Sequence, residues 1–309
     1  MTRIGVVGAG RVGAVLAAAL RGAGHEIVAV AGESAASRTR IETLLPGVRV
    51  DKPTAVSRSC DLLLLTVPDD MLANVVSMLA ASGAIRPGHR VVHTSGKHGL
   101  AVLRPAADVG AEVLAMHPAM TFTGTDVDVA RLPGCVFGVT ATPGTRALAE
   151  ALVRDLGGST VWVDEDKRTL YHAGLAHGAN HLVTLVSQAM DLLRASGATD
   201  PAATLRPLLG AALDNVLSYG DAALTGPIVR GDVETVRAHL EDIATHQPGT
   251  LESYVAMARA TANRAVVDGR LLPIRAAKLV GILNDALPAS PPPPVTRPAQ
   301  LVVRRGRGA

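Results

Sequence analysis

The sequence has few of the residues on which disulfides, cysteine-bound metals and base-stacking surfaces depend. Its 309 residues include two cysteines, one tryptophan, three tyrosines and two phenylalanines. Cys60 and Cys135 are distant in sequence and outside any paired spacing, which argues against a disulfide framework and a cysteine zinc site. Aromatic residues, at 2%, are too few for a nucleic-acid stacking platform. We expect neither nucleic acid nor a metal as a partner.

Long apolar runs are also missing. Residues 62–67 form one of the longest strongly apolar runs, and a run of that length is far too short to cross a bilayer. Arg3 leads directly into a strand pattern, without the separate regions of a signal peptide. We therefore expect no membrane partner and a cytoplasmic location.

The excess of positive charge belongs to one end of the chain. Residues 289–309 contain four arginines, four consecutive prolines and no acidic residue. Removing these four charges from the net charge of +3 leaves −1 for the remainder. We expect residues 289–309 to form a disordered, Pro- and Arg-rich tail.

The first half of the chain alternates strand and helix patterns, which is typical of a parallel sheet covered by helices. No strand pattern follows residue 164, and prolines punctuate long helical stretches there. The predicted fold class is α/β, with a doubly wound parallel Rossmann sheet followed by an all-helical second domain. We place the dinucleotide-binding domain at 1–165 and the helical substrate domain at 166–288. The predicted strands are 3–7, 26–31, 61–67, 90–94, 112–116, 135–139 and 160–163.

A GxGxxG motif follows the first predicted strand and begins a helix, which is the context that a dinucleotide site requires. Gly8 permits the tight turn, Gly10 lets the backbone approach a pyrophosphate, and Gly13 lets the helix pack closely on the strand. Arg11 and Val12 supply N–H groups at the positive end of that helix. These five residues are the predicted cofactor site, and Val67 and Pro68 are expected to flank the cofactor from a neighbouring strand.

The choice between NADP and NAD depends on the end of the second strand. Ser34, Arg38 and Arg40 suit a 2′-phosphate and favour NADP. Glu33 would repel that phosphate if it pointed inward, so NAD stays possible. The two arginines also fit a solvated helix face.

Substrate residues are expected where the strands end, because ligands of such sheets bind beyond the carboxyl ends. Ser95 follows one strand and can meet the nicotinamide or the substrate through its hydroxyl. His117 follows another and fits either a proton donor or carboxylate ligand, or a turn histidine bonded to backbone.

The first helix of the second domain carries further candidates. His172 and Asn180 are eight residues apart, about 80° around a regular helix, so both can face one cleft. Reduction of a carbonyl needs a proton donor at the oxygen, which His172 or Lys167 can supply while Asn180 orients the substrate. A structural histidine explains His172 as well as a catalytic one does, and Lys167 fits a solvated first-turn lysine better than a catalytic residue.

Three other groups carry weaker signals. His177 and His181 have the i, i+4 spacing of a metal-binding pair, but no third ligand is evident. Thr225 and Arg230 lie in a loop between helices, where the arginine can grip a carboxylate. Asp232, in the same loop, fits a helix N-cap.

Three stretches of the sequence resemble a known group of proteins. They are residues 65–70 (LTVPDD), 116–122 (MHPAMTF) and 224–232 (LTGPIVRGD). They resemble a group of two-domain Rossmann-like proteins whose helical half is a domain of unknown function, over about residues 2–288. The group is similar in plan to pyrroline-5-carboxylate reductases, ketopantoate reductases and 6-phosphogluconate dehydrogenases, and includes atypical ketopantoate reductases. The resemblance implies a homodimer and NADPH-dependent reduction of a small 2-oxo acid. Ketopantoate, reduced to pantoate in pantothenate biosynthesis, is the first expectation.

Typical ketopantoate reductases carry a lysine followed at four and eight residues by asparagines. Aligning the last asparagine with Asn180 places the lysine on His172 and the middle asparagine on Ala176. His172 then replaces the lysine as proton donor. Ser95 and His117 also resemble the serine and histidine of prephenate dehydrogenases. A prephenate-type or imine-reducing dehydrogenase is therefore one alternative, and a dinucleotide sensor without catalysis is another.

Overall fold

In the computed structural model, which describes residues 1–287, the first part of the chain forms one seven-stranded sheet with the order β2-β1-β3-β4-β5-β6-β7. Strands β1 to β5 are parallel to their neighbours, as are β6 and β7, but β5 and β6 are antiparallel. The strands are β1 (Arg3–Val7), β2 (Glu26–Ala31), β3 (Leu62–Leu65), β4 (Arg90–His93), β5 (Glu112–Pro118), β6 (Val136–Ala141) and β7 (Ser159–Trp162).

The predicted doubly wound sheet is confirmed, apart from the antiparallel pairing of β5 with β6. An antiparallel partner starts where the preceding strand ends and needs no full crossover. Pro118, the last residue of β5, is opposite Phe137 near the start of β6. The connection between them therefore stays at the carboxyl end of β5, on the edge where a ligand is expected.

Seven helices accompany the sheet. They are α1 (Arg11–Gly22), α2 (Ala35–Leu44), α3 (Pro53–Arg58), α4 (Asp69–Ala81), α5 (Arg104–Asp108), α6 (Asp126–Arg131) and α7 (Arg146–Asp155), with short 3₁₀ turns at Ala101–Leu103 and Pro143–Thr145.

The central strand β3 shows why the sheet is covered on both faces. Leu62 and Leu64 pack into one hydrophobic core, with helices α1, α6 and α7, while Leu63 and Leu65 pack into the other, with α4 and α5. All four leucines are at most 1% exposed. Side chains alternate between the faces of a strand, so a continuous apolar run is what a strand covered on both faces requires.

No strand follows β7 within the described residues. A 3₁₀ turn at Glu165–Lys167 precedes α8 (Arg168–Leu175), a π-helical turn at Ala176–Asn180, and α9 (His181–Ala195). The remaining elements are α10 (Pro201–Tyr219), a 3₁₀ turn at Gly220–Ala223, α11 (Pro227–Arg230), α12 (Val233–His246), α13 (Pro248–Val267) and α14 (Pro273–Asp285).

Prolines begin four of these helices, α10, α11, α13 and α14, where the missing N–H costs nothing. Asp232 caps α12, and its side chain accepts a hydrogen bond from the Thr235 N–H. The expected punctuation of the helical region is thereby confirmed.

The contacts of the chain divide it into two compact units, one comprising Met1–His181 and the other beginning at Leu182. The second unit has its own hydrophobic core, made by residues of α11 to α14 such as Val236, Val255 and Leu279. A functional boundary near residue 165 stays a prediction. The expected tail at 289–309 lies outside the described residues. Within residues 1–287 no helix has both the length and the apolar character needed to cross a membrane.

Candidate functional site

The glycine-rich turn after β1 has the geometry that a dinucleotide site requires. Gly8 has a φ of +101°, and a Cβ there would lie 2.7 Å from the backbone of Thr66 and Val67. A Cβ on Gly13 would collide with the Thr66 hydroxyl and the Gly8 carbonyl. A Cβ on Gly10, by contrast, has only the Gly8 carbonyl oxygen nearby, at 3.9 Å. The turn thus packs tightly beneath Gly8 and Gly13 and leaves open space above Gly10, where a pyrophosphate would approach.

Thr66 fixes this turn and was missed by the sequence analysis. Its hydroxyl donates a hydrogen bond of 2.6 Å to the carbonyl of Gly8. The residue directly follows β3, so its side chain ties the carboxyl end of one strand to the turn after another. Its place between β3 and Val67-Pro68 is the signal that would have found it.

A first cavity of about 420 Å³ opens above this turn. It brings together the predicted cofactor residues Gly10, Arg11, Val12, Val67 and Pro68. The same wall includes Ser95, His117 and His172. Residues from separate places in the sequence therefore surround one space at the carboxyl edge of the sheet.

A second cavity of about 440 Å³ shares three residues with the first, namely Arg11, His117 and His172. It also contains Asn180, and much of its remaining wall is apolar, with Met120, Phe122, Leu175, Ala176 and Ala179. The segment after β5 contributes Met120 and Phe122, because the antiparallel β6 keeps that segment at this edge.

The π-helical turn at Ala176–Asn180 explains how His172 and Asn180 line one cavity. In a regular α-helix the two side chains would be separated by about 80° around the axis. A π turn accommodates an extra residue and rotates the next part of the helix backwards, so Asn180 moves towards the face of His172. Such turns are frequent at functional sites, and the sequence pattern gave no sign of this one.

His117 is held by a residue that the sequence analysis did not select. Its Nδ1 atom is 3.1 Å from the Tyr171 hydroxyl, and the two rings meet edge to face. The ring of His172 also meets His117 edge to face, with centroids 5.9 Å apart. Burial, followed by the positive charge of Arg168, lowers the pKa of His117 to about 4.

Arg168 is the largest fully buried side chain, at 1% exposed. Its guanidinium donates hydrogen bonds to the carbonyl of Gly138 at 3.0 Å and to the carbonyl of Ser95. It thereby joins β6 to the loop after β4. An arginine in the first turn of a helix is usually solvated, so sequence alone gave no reason to select it.

Ser95 is buried in the wall of the first cavity. Its hydroxyl accepts a hydrogen bond from the His98 N–H, and its own N–H donates to Nδ1 of His93. Nε2 of His93 donates to the Gly99 carbonyl at 2.8 Å. Burial lowers the pKa of His93 to about 4, opposed by that carbonyl. The loop after β4 is therefore fixed around a neutral, fully buried histidine.

Comparison with known families identifies both parts of the chain. Residues 1–118 match the Rossmann-like domain, and residues 135–261 match the Domain of unknown function (DUF2520). The chain joins a Rossmann-like domain to a DUF2520 domain. The recognition made from the three sequence stretches is confirmed. No curated protein matches the sequence.

Solved structures share the fold at low sequence identity. A Bacteroides fragilis protein named as an NADP oxidoreductase is 21% identical with a TM-score of 0.73, over 85% of this chain and 98% of that one. An Aspergillus terreus reductive aminase, in complex with NADPH and ethyl levulinate, is 18% identical with a TM-score of 0.62, over 90% and 98%. A Plasmodium falciparum pyrroline carboxylate reductase with NADP bound is 12% identical with a TM-score of 0.56, over 91% and 98%.

Three arginines at or near the predicted cofactor residues are among those that form no ion pair in the described chain. They are Arg11, Arg38 and Arg40, of which Arg11 and Arg38 are exposed. The loop at Gly124 approaches two of them, because a Cβ there would lie 2.5 Å from Nε of Arg40 and 3.1 Å from Cγ of Arg11. Ser34 caps α2 by accepting from the Ser37 N–H at 3.1 Å.

Other predicted residues lie apart from the two cavities. Lys167 is exposed and pairs with Asp166 at 2.8 Å, and it lines neither cavity. His177 and His181 are exposed, with their Nδ1 atoms 2.9 Å apart. Thr225 and Arg230 are exposed in the second unit, and their role in substrate binding stays a prediction. A further cavity of about 430 Å³, beside Arg146, Trp162 and Glu165, contains none of the predicted residues.

Proposed function

We propose that this protein is an NADPH-dependent oxidoreductase that reduces a small carbonyl or imine compound. The observation that carries the proposal is the junction of the two cavities at His117 and His172. One cavity adjoins a glycine turn that fits a pyrophosphate, and the other is largely apolar with one amide at Asn180. A cofactor in the first and a substrate in the second would meet beside the same two histidines.

The residues present fit a dinucleotide. The space above Gly10 is open, as an approaching pyrophosphate requires, and the N–H groups at the start of α1 face it. Arg38 and Arg40 lie on α2, directly after β2, where Rossmann folds bind the ribose, and their positive charge favours a 2′-phosphate and hence NADP over NAD. The NADP oxidoreductase, reductive aminase and pyrroline carboxylate reductase that share the fold agree with this choice.

Bound NADPH supplies a hydride to the electrophilic carbon of the substrate. As the carbonyl π electrons pass to oxygen, His172 would donate a proton to that oxygen, and an alcohol would be formed. Asn180 orients the substrate through its side-chain amide in the same cavity. An imine substrate takes the proton on nitrogen and gives an amine by the same arrangement.

The lining of the second cavity favours a small anionic substrate. Arg11 contributes positive charge, and no acidic residue lines this cavity. Met120, Phe122 and Leu175 accommodate a short aliphatic group. A small 2-oxo acid has these properties, and ketopantoate is the first to test. Imines are the second class, because two of the compared proteins are named for the reduction of carbon–nitrogen bonds.

A homodimer belongs to the same proposal. Helix α9 buries none of its side chains, and α10 buries only Pro201 and Leu205. A second copy of the chain would cover this apolar surface, whose exposed residues include Leu182, Val183, Leu208, Leu213, Leu217 and Tyr219. Light scattering is expected to give twice the chain mass, and Leu217→Glu to give monomers while Met78→Glu on α4 does not. A cytoplasmic location and a role in pantothenate biosynthesis stay predictions.

The direct test measures NADPH oxidation by purified protein with ketopantoate, other 2-oxo acids and cyclic imines, against protein without substrate. We expect saturable turnover with one of these classes and a lower rate with NADH. Tight NADPH binding without turnover on any of them would favour a sensor and contradict the proposed reaction.

A further inference from the structure

The two ring nitrogens of His117 have different surroundings. Nδ1 is 3.1 Å from the Tyr171 hydroxyl. Nε2 lies on the opposite side of the ring, where a Cβ on Gly96 would come within 3.1 Å of it. Gly96 lines the first cavity together with His117. Nε2 is therefore the nitrogen that a ligand in that cavity would meet.

The hydrogen bond of Tyr171 decides which nitrogen carries the proton. Among residues 1–287 the one hydrogen-bond partner of the Tyr171 hydroxyl is Nδ1 of His117. Because Tyr171 is half-buried, its O–H needs an acceptor, and no other acceptor is in reach in the described chain. Nδ1 of His117 is within hydrogen-bond distance to accept it. A neutral imidazole that accepts at Nδ1 carries its proton on Nε2.

After burial, the charge of Arg168 is the strongest influence that disfavours a positive charge on the ring. It carries a fully buried charge that has no carboxylate within ion-pair distance among residues 1–287, and its Nε has no hydrogen-bond partner there. Its guanidinium lies 5.7 Å from the centre of the Tyr171 ring. A buried charge without a counter-ion is costly. Joining β6 to the loop after β4 through neutral acceptors therefore does not by itself account for an arginine here. The same charge disfavours a second positive charge on the neighbouring His117.

The groups that surround His117 shift its pKa in both directions. Burial and Arg168 lower the pKa of His117 most, and His172 and His93 add to the effect when they are protonated. Asp69 alone opposes them. The sum holds the pKa of His117 at about 4, so the ring is neutral at pH 7.

We propose that Tyr171 and Arg168 are positioning residues that hold His117 neutral, with its proton on Nε2, as a hydrogen-bond donor to a carbonyl or carboxylate oxygen of the ligand. The identity of the ligand rests on the proposed function, whereas the state of His117 is a property of the protein alone. His172 and His117 then have different roles in the reaction. His172 gives up a proton, and His117 stabilises the developing negative charge without losing one.

The protonation state can be read directly, without cofactor or substrate. Long-range ¹H–¹⁵N spectra of histidine-labelled protein distinguish the two neutral tautomers and the imidazolium. The signals of His117 are identified by their absence from His117→Gln. We expect one neutral tautomer with the proton on Nε2 from pH 8 down to about pH 5. A proton on Nδ1, or titration near pH 6.5, would overturn the proposal.

Tyr171→Phe removes only the hydroxyl. It is expected to abolish the single tautomer of His117 while the melting temperature stays close to that of the wild type. The chain offers a matched control, because Tyr254 holds Nδ1 of His239 at 2.9 Å with the rings also edge to face. Tyr254→Phe should leave the His117 signals unchanged. An unchanged His117 tautomer in Tyr171→Phe would contradict the role given to Tyr171.

The charge of Arg168 is tested by Arg168→Met, with Arg168→Lys as the conservative variant. In Arg168→Met the pKa of His117 is expected to rise, so that imidazolium forms at higher pH, and Arg168→Lys should largely restore the original value. A folded Arg168→Met protein with unchanged titration would refute the electrostatic role. If Arg168→Met does not fold, the Tyr171→Phe experiment decides the proposal.

Activity provides a separate readout once a substrate is known. Tyr171→Phe is expected to lower kcat roughly 10- to 100-fold with a smaller effect on KM, because a hydrogen bond to developing charge acts mainly in the transition state. A change in KM with none in kcat would indicate a binding role only and contradict the proposal. If no substrate is found, the proposed function fails while the spectra still decide the state of His117.

Discussion

Two glycines of the same turn are expected to respond to alanine in opposite ways. A methyl group on Gly13 would collide with the carbonyl of Gly8 and the hydroxyl of Thr66. A methyl group on Gly10 would lie 3.9 Å from its nearest protein atom, in open space. The first substitution therefore strains the protein itself, and the second fills only the space assigned to the pyrophosphate.

The magnitudes can be worked out from these contacts. Overpacking against backbone lowers the free energy of unfolding by about 1–3 kcal/mol. The higher helix propensity of alanine at position 13 offsets up to about 1 kcal/mol of that loss. A net loss of about 1–2 kcal/mol lowers the melting temperature by roughly 2–8 °C in a domain of this size. Gly10→Ala should change the free energy of unfolding by less than about 0.5 kcal/mol. Its NADPH affinity should fall at least tenfold, or about 1.4 kcal/mol.

Thermal melts of the free protein and fluorescence titrations with NADPH separate the two effects. Gly13→Ala is expected to melt earlier, and Gly10→Ala to melt like the wild type but bind NADPH weakly. Wild-type affinity in Gly10→Ala would mean that the pyrophosphate does not approach this turn. Wild-type stability in Gly13→Ala would refute the packing argument.

Three more predictions concern charge and protonation. Arg38→Ala combined with Arg40→Ala should weaken NADPH binding about tenfold or more and leave NADH binding nearly unchanged, which parallel titrations measure. His172→Ala should lower kcat about 10²–10⁴-fold with little change in NADPH affinity, and equal loss of both would contradict its role as proton donor. Burial lowers the pKa of His93 from 6.5 to about 4, so below pH 6.5 the unfolded state binds more protons than the folded state. Stability in urea should therefore fall as the pH drops from about 6.5 towards 4, and a flat profile would refute this assignment.

The fold was predictable because its signals are local. The continuous leucines of β3 indicated a strand buried on both faces, and the structure divides them between two cores. The prolines that begin four helices and Asp232 at the start of α12 were equally readable. Each of these features depends on a few neighbouring residues, so a sequence pattern is enough to reveal it.

The site was predictable only in part, because its remaining features depend on contacts between distant residues. Gly10, Val67, Ser95 and His117, selected at or next to strand ends, lie around one cavity with His172, which was selected on the first helix after the sheet. The hydrogen bonds that hold these residues in place were not predicted. Arg168 reaches partners 30 and 73 residues away in sequence, and such partners leave no local pattern.

Two backbone features were also unforeseen. The antiparallel direction of β6 depends on the path of the chain after Pro118. The residues of β6 are ordinary strand residues, so its sequence does not reveal that direction. The π turn before His181 depends on one extra residue within a helix. Both features bring residues to the second cavity, so the candidate substrate site was less visible in the sequence than the candidate cofactor site.

The measurement that tests the central claim most directly is substrate-dependent oxidation of NADPH, followed by its absorbance, by the wild type and His172→Ala in parallel. The predicted result is saturable turnover of a small 2-oxo acid or a cyclic imine, with NADPH preferred to NADH and the rate strongly reduced in the variant. Failure of the wild-type protein to bind NADPH at all would contradict the account at its foundation.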